Sequence, residues 1–173
     1  MRIGEALSLT LHDVDLAQGL VTIRHAKFFK TRLVPAGPRL TRELAAYVRH
    51  RRQLPLPAGE ASAHLVTRTG GPLGYDSVNR CFGRVRQLAG VCREREARYQ
   101  PRLHDLRHTA AVHWLVAWYR AGVDVQHRLP HLATYLGHVD ISATQRYLTM
   151  TPELLHEASR RFDRYAQGEA SHA

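Results

Sequence analysis

The chain has 173 residues, of which 44% are hydrophobic and 23% charged, a balance that predicts one globular domain and excludes a disordered polypeptide. No apolar run approaches the roughly 20 residues that span a bilayer, and no apolar signal segment follows Met1, so the sequence predicts an intracellular protein and not a membrane protein. Twenty-five Lys and Arg against fifteen Asp and Glu leave a formal net charge of +10, which favours a polyanionic partner, most often nucleic acid, over charge that serves solubility alone.

The first half of the chain is predicted to hold the end of a helix, a small sheet and one long helix. Each strand is a short β-prone run beside a turn, and the long helix repeats apolar side chains at helical period. The predicted elements are the helix end at 2–9, strands at 20–23 and 33–34 within a β region over 14–35, and a helix at 39–52. Residues 55–74 contain seven of the twenty glycines and prolines of the chain and are predicted to be loop-rich.

The second half is predicted to be helical. Asp76 is expected to cap a helix that Gly90 stops. Three elements then precede the last helix, namely an apolar helix at 104–120, a helix at about 128–136 that begins near Pro130, and a short helix opened by a Ser142–Gln145 capping box. Thr151 and Pro152 open the last helix, whose buried stripe is predicted to be Leu155, Ala158, Phe162 and Tyr165.

These elements predict an α+β domain that is mainly α-helical and contains one small antiparallel three-stranded sheet. The domain is expected to occupy residues 1–166, with a polar tail at 167–173. Cys81 and Cys92 match no metal or redox spacing, so both are predicted to be buried thiols. Trp114 and Trp118 lie at helical spacing and are predicted to belong to the core.

Lysine and histidine usage narrows the chemistry. Only Lys27 and Lys30 are lysines, whereas the other basic residues are arginines. Lysine can give up a proton near neutral pH and arginine cannot, so the predicted turn that holds both lysines is a candidate proton donor. Two histidine pairs have a zinc-compatible spacing of four, but neither carries the Glu of a metalloprotease motif, and we predict no metal or other cofactor. The pairs are His104 with His108 and His127 with His131.

Four short motifs follow one another along the chain. They are Arg2-Ile3-Gly4-Glu5-Ala6-Leu7, Lys27 in the β turn, His104-Asp105-Leu106-Arg107-His108, and Leu136-Gly137-His138 with Tyr147 nine residues later. Each motif alone is a weak signal. In this order they resemble the catalytic domain of the tyrosine recombinases, the phage-integrase family, over nearly the whole chain.

The resemblance implies a role for each matching residue. The implied catalytic set is Arg2, Lys27, His104, Arg107, His138 and the nucleophile Tyr147. Glu5 and Asp13 are expected to be structural. The implied function is site-specific DNA recombination or integration, by strand cleavage and rejoining through a 3′-phosphotyrosine intermediate without metal or ATP. The implied partners are double-stranded DNA and further copies of the chain, as a tetramer on DNA, in a cytoplasmic, nucleoid-associated protein.

The chemistry of phosphodiester cleavage explains these residue types. Arg2 and Arg107 offer planar forks of donors to the nonbridging oxygens and stabilise the pentacoordinate transition state. A tyrosine with a pKa of about 10 must lose its proton to attack, and His104 is the expected acceptor. Lys27 is expected to protonate the departing 5′ oxygen, and His138 to hydrogen-bond a phosphate oxygen.

Several alternatives remain open in the sequence. Lys30 competes with Lys27 as proton donor, and a lone tyrosine such as Tyr147 is more often a core residue. Five basic residues are weaker candidates for DNA contacts, with a solvated surface as the alternative for the last three: Lys30, Arg32, Arg49, Arg51 and Arg52. A DNA-binding remnant without activity and a type IB topoisomerase are the rival functions.

The sequence also departs from the family pattern in two places. The opening helices of the domain and an upstream core-binding domain are absent from these 173 residues, which implies either a fragment or a shortened protein. The segment 123–131 is longer than usual by about one helical turn, and we interpret it as a subfamily trait.

Overall fold

The chain divides into two units, Met1–His104 and Asp105–Ala173. The computed structural model describes residues 1–24, 31–94, 98–138, 140, 142–149 and 152–166, without the side chains of 146, 149 and 164–166. Several predicted features therefore lie outside the described residues: Lys27, Lys30, Thr151, the tail at 167–173 and the side chain of Tyr165. Among the described helices, none combines the length and the apolar character that a membrane crossing needs.

The first unit is built around a three-stranded antiparallel sheet in the order β1-β2-β3. Val21 pairs with Val14 on one side and with Val34 on the other. Val21, Ile23 and Val34 are buried, as the two-residue period of a half-buried sheet requires. The described elements of this unit are α1 (Ile3–Leu7), β1 (Val14–Asp15), β2 (Leu20–Ile23), β3 (Arg32–Pro35), α2 (Pro38–Arg51) and α3 (Tyr75–Leu88). The mainly helical α+β fold with one small antiparallel sheet is confirmed.

The second unit is helical and has its own apolar core. Its described elements are α4 (Leu103–Arg120, which begins at the end of the first unit), α5 (Val125–Leu136), α6 (Ser142–Gln145), a 3₁₀ turn (Arg146–Thr149) and α7 (Pro152–Ala166). Side chains from all of these except α6 meet in the core. They are Ala111, Leu115, Val116, Val125, Leu129, Leu132, Leu136, Tyr147 and Leu154.

Helix α5 begins earlier than predicted. The side chain of Asp124 accepts hydrogen bonds from the backbone N–H groups of Gln126 and His127 at 2.9 and 3.3 Å, which caps the helix. Val125 in the added turn is buried. Pro130 therefore lies inside the helix and does not begin it. The longer segment recognised in the sequence is an extra first turn, stabilised by this cap and by burial.

Two other helices also begin at positions that differ from the prediction. Helix α3 begins at Tyr75 with Gly74 as its N-cap residue, and Asp76 lies in the first turn. There its carboxylate interacts favourably with the positive end of the helix dipole. At α6 the side chain of Asp140 accepts hydrogen bonds from both the backbone N–H and the hydroxyl of Ser142. Ser142 is thus the first helical residue and not the cap.

The predicted buried stripe of α7 is wrong. Leu155 and Phe162 are 58% and 69% exposed, whereas Leu154 is 1% exposed. Polar contacts select the face that packs. Arg120 Nε donates to Glu157 Oε1 at 3.0 Å, and Arg161 Nη1 donates to the carbonyl of Val123 at 2.7 Å. Because of these contacts, the face of α7 that packs against the core lies about one residue away from its most apolar face.

Two neighbouring leucines of α7 provide a stability test. We expect Leu154→Ala to lower the free energy of unfolding by about 2–5 kcal/mol, because it leaves a cavity in the core. Leu155→Ala, at an exposed position, should change it by less than about 0.5 kcal/mol. Urea titration followed by circular dichroism measures both, and equal effects would contradict the assignment of the buried face.

Three further predictions of burial are wrong. Cys81 and Cys92 are exposed, because α3 buries none of its residues completely and Cys92 follows the turn at Gly90. Trp114 is 44% exposed. It contacts the rings of Trp118 and Tyr135, with centroids 6.0 and 5.1 Å away, while Trp118 packs against the core.

Candidate active site

Tyr147 lies between two histidines in the second unit. Its ring stacks on His138, with centroids 5.9 Å apart and planes at 17°. The ring of His108 lies 5.3 Å away at 57°. The tyrosine is only 3% exposed and sits in the 3₁₀ turn that follows α6. The contacts thus bring His138 and Tyr147, which share one sequence motif, together with His108, the last residue of the motif that begins at His104.

The end of α5 places His138. Gly137 adopts a left-handed conformation with φ of 72°, and its N–H donates to the carbonyl of Thr134 while the N–H of His138 donates to that of Ala133. This pair of bonds is the Schellman ending, for which glycine is favoured because it lacks Cβ. The imidazole therefore emerges directly from a helix terminus.

A buried threonine holds the edge of that imidazole. Thr144 Oγ1 lies 2.7 Å from His138 Nδ1, and Thr144 has no exposed surface. The sequence gives no indication of this contact, since Thr144 lies in the interior of the predicted capping box. A spacing of six between two residues on different elements carries no periodic signal that would have revealed the contact.

Helix α4 carries the His104–Arg107 motif. The two residues are three apart on the helix, as predicted, so they share a face. His104 is exposed and Arg107 is partly buried. His108, the next residue, supplies the ring contact with Tyr147. The motif therefore connects to the tyrosine through its last residue.

In the first unit, a carboxylate holds Arg2. Glu5 Oε2 accepts from the backbone N–H of Arg2 at 2.6 Å, and Glu5 Oε1 lies 3.3 Å from Arg2 Nη1. Both oxygens also accept from the guanidinium of Arg32, at 3.2 and 2.8 Å. Burial alone raises the pKa of Glu5, but the hydrogen bonds and charges of the two arginines outweigh it and lower the pKa below its ordinary value. Glu5 thus orients Arg2 at the start of α1.

The structural role predicted for Asp13 is also confirmed. Its carboxylate accepts from the backbone N–H and hydroxyl of Thr10 at 3.0 and 2.8 Å, and from Arg24 Nε at 2.6 Å. Burial raises the pKa of Asp13, but these bonds and the charge of Arg24 reverse the shift and leave the pKa lowered.

Two of the arginines predicted to contact DNA are instead largely buried and hydrogen-bond to groups of the protein itself. Arg32 is 11% exposed and is committed to Glu5. Arg51 is 1% exposed, and its guanidinium donates to the carbonyls of Ala63 and Pro55, both at 3.1 Å. Neither guanidinium is available to a phosphate in this arrangement, so both predictions are corrected. Arg49 and Arg52 are exposed, and Arg52 pairs with Glu60 at 2.7 Å.

The ion pairs of Glu5 predict an acid-dependent stability. A carboxyl whose pKa is lowered on folding stabilises the fold above its unfolded pKa, and the benefit is lost as the pH falls through the lowered folded pKa. We expect Glu5→Gln to cost about 1–2 kcal/mol at pH 7 and progressively less below about pH 4. Urea midpoints across this range, with the exposed Glu43→Gln as control, measure the difference. A cost that does not change with pH would contradict the ion-pair explanation.

Comparisons with known proteins define the class of the chain. Residues 1–153 match the model of the Phage integrase family. The chain therefore belongs to the phage integrase family. Within the described residues, no three His, Cys, Asp or Glu side chains are grouped as a metal site needs.

Particular relatives agree with this assignment. The protein y4rB of Sinorhizobium fredii, named as an integrase/recombinase, is 43% identical over 165 residues, which are 95% of this chain and 52% of the relative. The tyrosine recombinase XerC of Bacillus subtilis is 31% identical over 157 residues, 90% of this chain and 47% of XerC. The chain thus spans about half the length of these curated relatives.

Solved structures show the same fold. A crystal structure of the XerA recombinase matches with a TM-score of 0.70 at 23% identity, over 99% of this chain and 54% of that one. The XerH recombinase bound to a palindromic difH substrate, in a post-cleavage complex, matches with a TM-score of 0.66 at 24% identity, over 94% and 42%. Both likenesses concern the fold alone.

Proposed function

We propose that this chain is the DNA-cleaving part of a site-specific recombinase and that Tyr147 is its nucleophile. The observation that carries the proposal is the contact of Tyr147 with His108 and His138. These residues come from motifs up to 39 positions apart in the sequence. Their meeting at one tyrosine supports a reaction centre over a tyrosine that serves packing alone.

The proposed reaction is a transfer of the phosphodiester from one oxygen to another. The phenolic oxygen of Tyr147 attacks phosphorus, its proton passes to His104, and the bond from phosphorus to the 5′ oxygen breaks. Lys27 gives a proton to that departing oxygen. A 3′-phosphotyrosine link remains, and attack by a second 5′ hydroxyl reverses the step. No hydrolysis occurs, so the bond energy is retained for rejoining.

The remaining residues stabilise the charge that develops on phosphate. Arg2 and Arg107 bind the nonbridging oxygens with their planar forks of N–H donors. His138 donates a further hydrogen bond to a phosphate oxygen. Such donors stabilise the pentacoordinate transition state more than the ground state, because the negative charge is greatest there.

Burial adds a conformational step to the proposal. At 3% exposure, the ring of Tyr147 cannot reach a phosphate while it is packed against the core. Attack therefore requires the Arg146–Thr149 turn to move outward. The turn is a single 3₁₀ segment, a short element whose displacement leaves α4 and α5 in place.

The exposed face of α7 supports assembly of several copies. Leu155 and Phe162 are both more than half exposed, and recombination needs cleavage of more than one strand. In the proposal these side chains meet other copies on DNA, in line with the tetramer that the resemblance implies.

Covalent trapping on DNA tests the proposed function. Nicked duplexes tiled across the DNA that flanks the gene are labelled at the 5′ end of the cleaved strand, so that a 3′ link keeps the label on the protein. A denaturing gel should show a labelled adduct, and mass spectrometry of its peptides should place the nucleotide on Tyr147. Salt-sensitive DNA binding without any adduct would favour the noncatalytic remnant. Relaxation of plasmids that lack a specific site would favour the topoisomerase.

A further inference from the structure

We propose that Thr144 is a positioning residue that holds the imidazole of His138 as the tautomer protonated on Nε2. The structural part of this inference concerns one hydrogen bond and stands by itself, whereas its consequence for cleavage rests on the proposed function. Thr144 acts through His138 and has no contact with DNA in the proposal.

The geometry identifies the bond and its strength. Thr144 Oγ1 and His138 Nδ1 are 2.7 Å apart, a short distance for an oxygen and a nitrogen. Thr144 has 0% exposed surface, so water does not compete for its hydroxyl. A hydrogen bond in such surroundings is electrostatically stronger than one at the surface.

The direction of the bond follows from the need to satisfy the hydroxyl. Among the described residues, His138 is the hydrogen-bond partner of the Thr144 hydroxyl, and there is no second one. If Nδ1 carried the proton and donated, the O–H of Thr144 would be buried without an acceptor, which costs free energy. If the hydroxyl donates to an unprotonated Nδ1, both groups are satisfied. The neutral imidazole then carries its proton on Nε2.

Within the part of the chain that the structure describes, three contacts orient the ring. The helix ending at Gly137 places the backbone of His138, the stack on Tyr147 fixes the ring plane, and Thr144 fixes which edge of the ring points inward. With the proton on Nε2, the opposite edge of the ring carries the N–H group that the proposed function assigns to a phosphate oxygen. Without the hydroxyl, Nδ1 loses the donor that keeps it unprotonated, so exchange between the two tautomers becomes easier.

The matched variants are Thr144→Val, which removes the hydroxyl at constant shape, and Thr144→Ser, which keeps it. Thr134→Val is the control, since Thr134 is an exposed threonine of the same unit whose hydroxyl donates to the carbonyl of Pro130. Nitrogen-15 NMR of the His138 imidazole reports the tautomer without DNA. Thermal unfolding checks that each variant folds.

We expect the Nε2-protonated tautomer in the natural chain, in Thr144→Ser and in Thr134→Val, and a mixture of tautomers in Thr144→Val. A proton on Nδ1 in the natural chain, or an unchanged tautomer in Thr144→Val, would overturn the inference.

Cleavage kinetics test the consequence for the reaction. At saturating nicked duplex we expect Thr144→Val to slow adduct formation about tenfold with an unchanged Kd for DNA, as the loss of one hydrogen bond predicts. Thr144→Ser should keep at least about half of the natural rate. An unchanged rate in Thr144→Val would overturn the positioning role. Absence of adduct from the natural chain would contradict the proposed function instead, and the NMR result would still decide the tautomer.

Discussion

Tyr147→Phe should abolish the covalent adduct with DNA. The substitution removes only the phenolic oxygen and keeps the aromatic ring, so the stack on His138 and the contact with His108 are preserved. We therefore expect the thermal midpoint and the Kd for DNA to change little, while the labelled adduct falls below detection. A phenyl ring has no atom that can attack phosphorus, and the loss should not depend on pH or on time of incubation.

Tyr119→Phe is the matched control for this prediction. Tyr119 is a partly buried tyrosine that packs against the same core, and its variant should form adduct at the natural rate. Persistence of the adduct in Tyr147→Phe would show that another residue is the nucleophile. Peptide mass spectrometry would then identify it.

Arg107→Lys should slow adduct formation at least about a hundredfold, with a much smaller effect on DNA binding. Lysine keeps the positive charge but loses the planar fork that binds two phosphate oxygens together. The interaction is strongest with the transition state, since an additional oxygen shares the phosphorus there. The loss should therefore appear in the rate at saturating DNA and much less in Kd.

Arg120→Lys is a control on the same helix. Arg120 pairs with Glu157 through Nε at 3.0 Å and is 65% exposed, so this variant should cleave DNA at close to the natural rate. If Arg107→Lys cleaved within about threefold of the natural chain, charge alone would suffice at this position. The proposed bidentate clamp would then be wrong.

These two variants separate the roles proposed for the second unit. Tyr147→Phe removes the bond-forming atom, and Arg107→Lys leaves that atom but removes a geometry that stabilises charge. Residual adduct in the arginine variant and none in the tyrosine variant is the pattern expected for one reaction centre. The opposite pattern would assign the nucleophile elsewhere.

The sequence by itself determined the elements whose signals are local. The strands at Leu20–Ile23 and Arg32–Pro35 follow from short β-prone runs beside turns. The helical shape of α4 and the shared face of His104 and Arg107 follow from helical period. The order of the motifs was sufficient to predict the family, which the match over residues 1–153 confirms.

Only the tertiary structure decided which helix faces are buried and which charged side chains have their partners inside the protein. Arg51 and Arg32 look like surface arginines in the sequence, but carbonyls of the segment after α2 and a carboxylate of α1 hold them inside. The contact between Thr144 and His138 likewise joins two elements at a spacing without periodicity. On α7, the apolar stripe read from the sequence is exposed, and the packed face is the one that Leu154 and the partnered Glu157 share. Whether a side chain is buried depends on which residues of the neighbouring elements face it. The sequence pattern of one element shows only the side chains of that element.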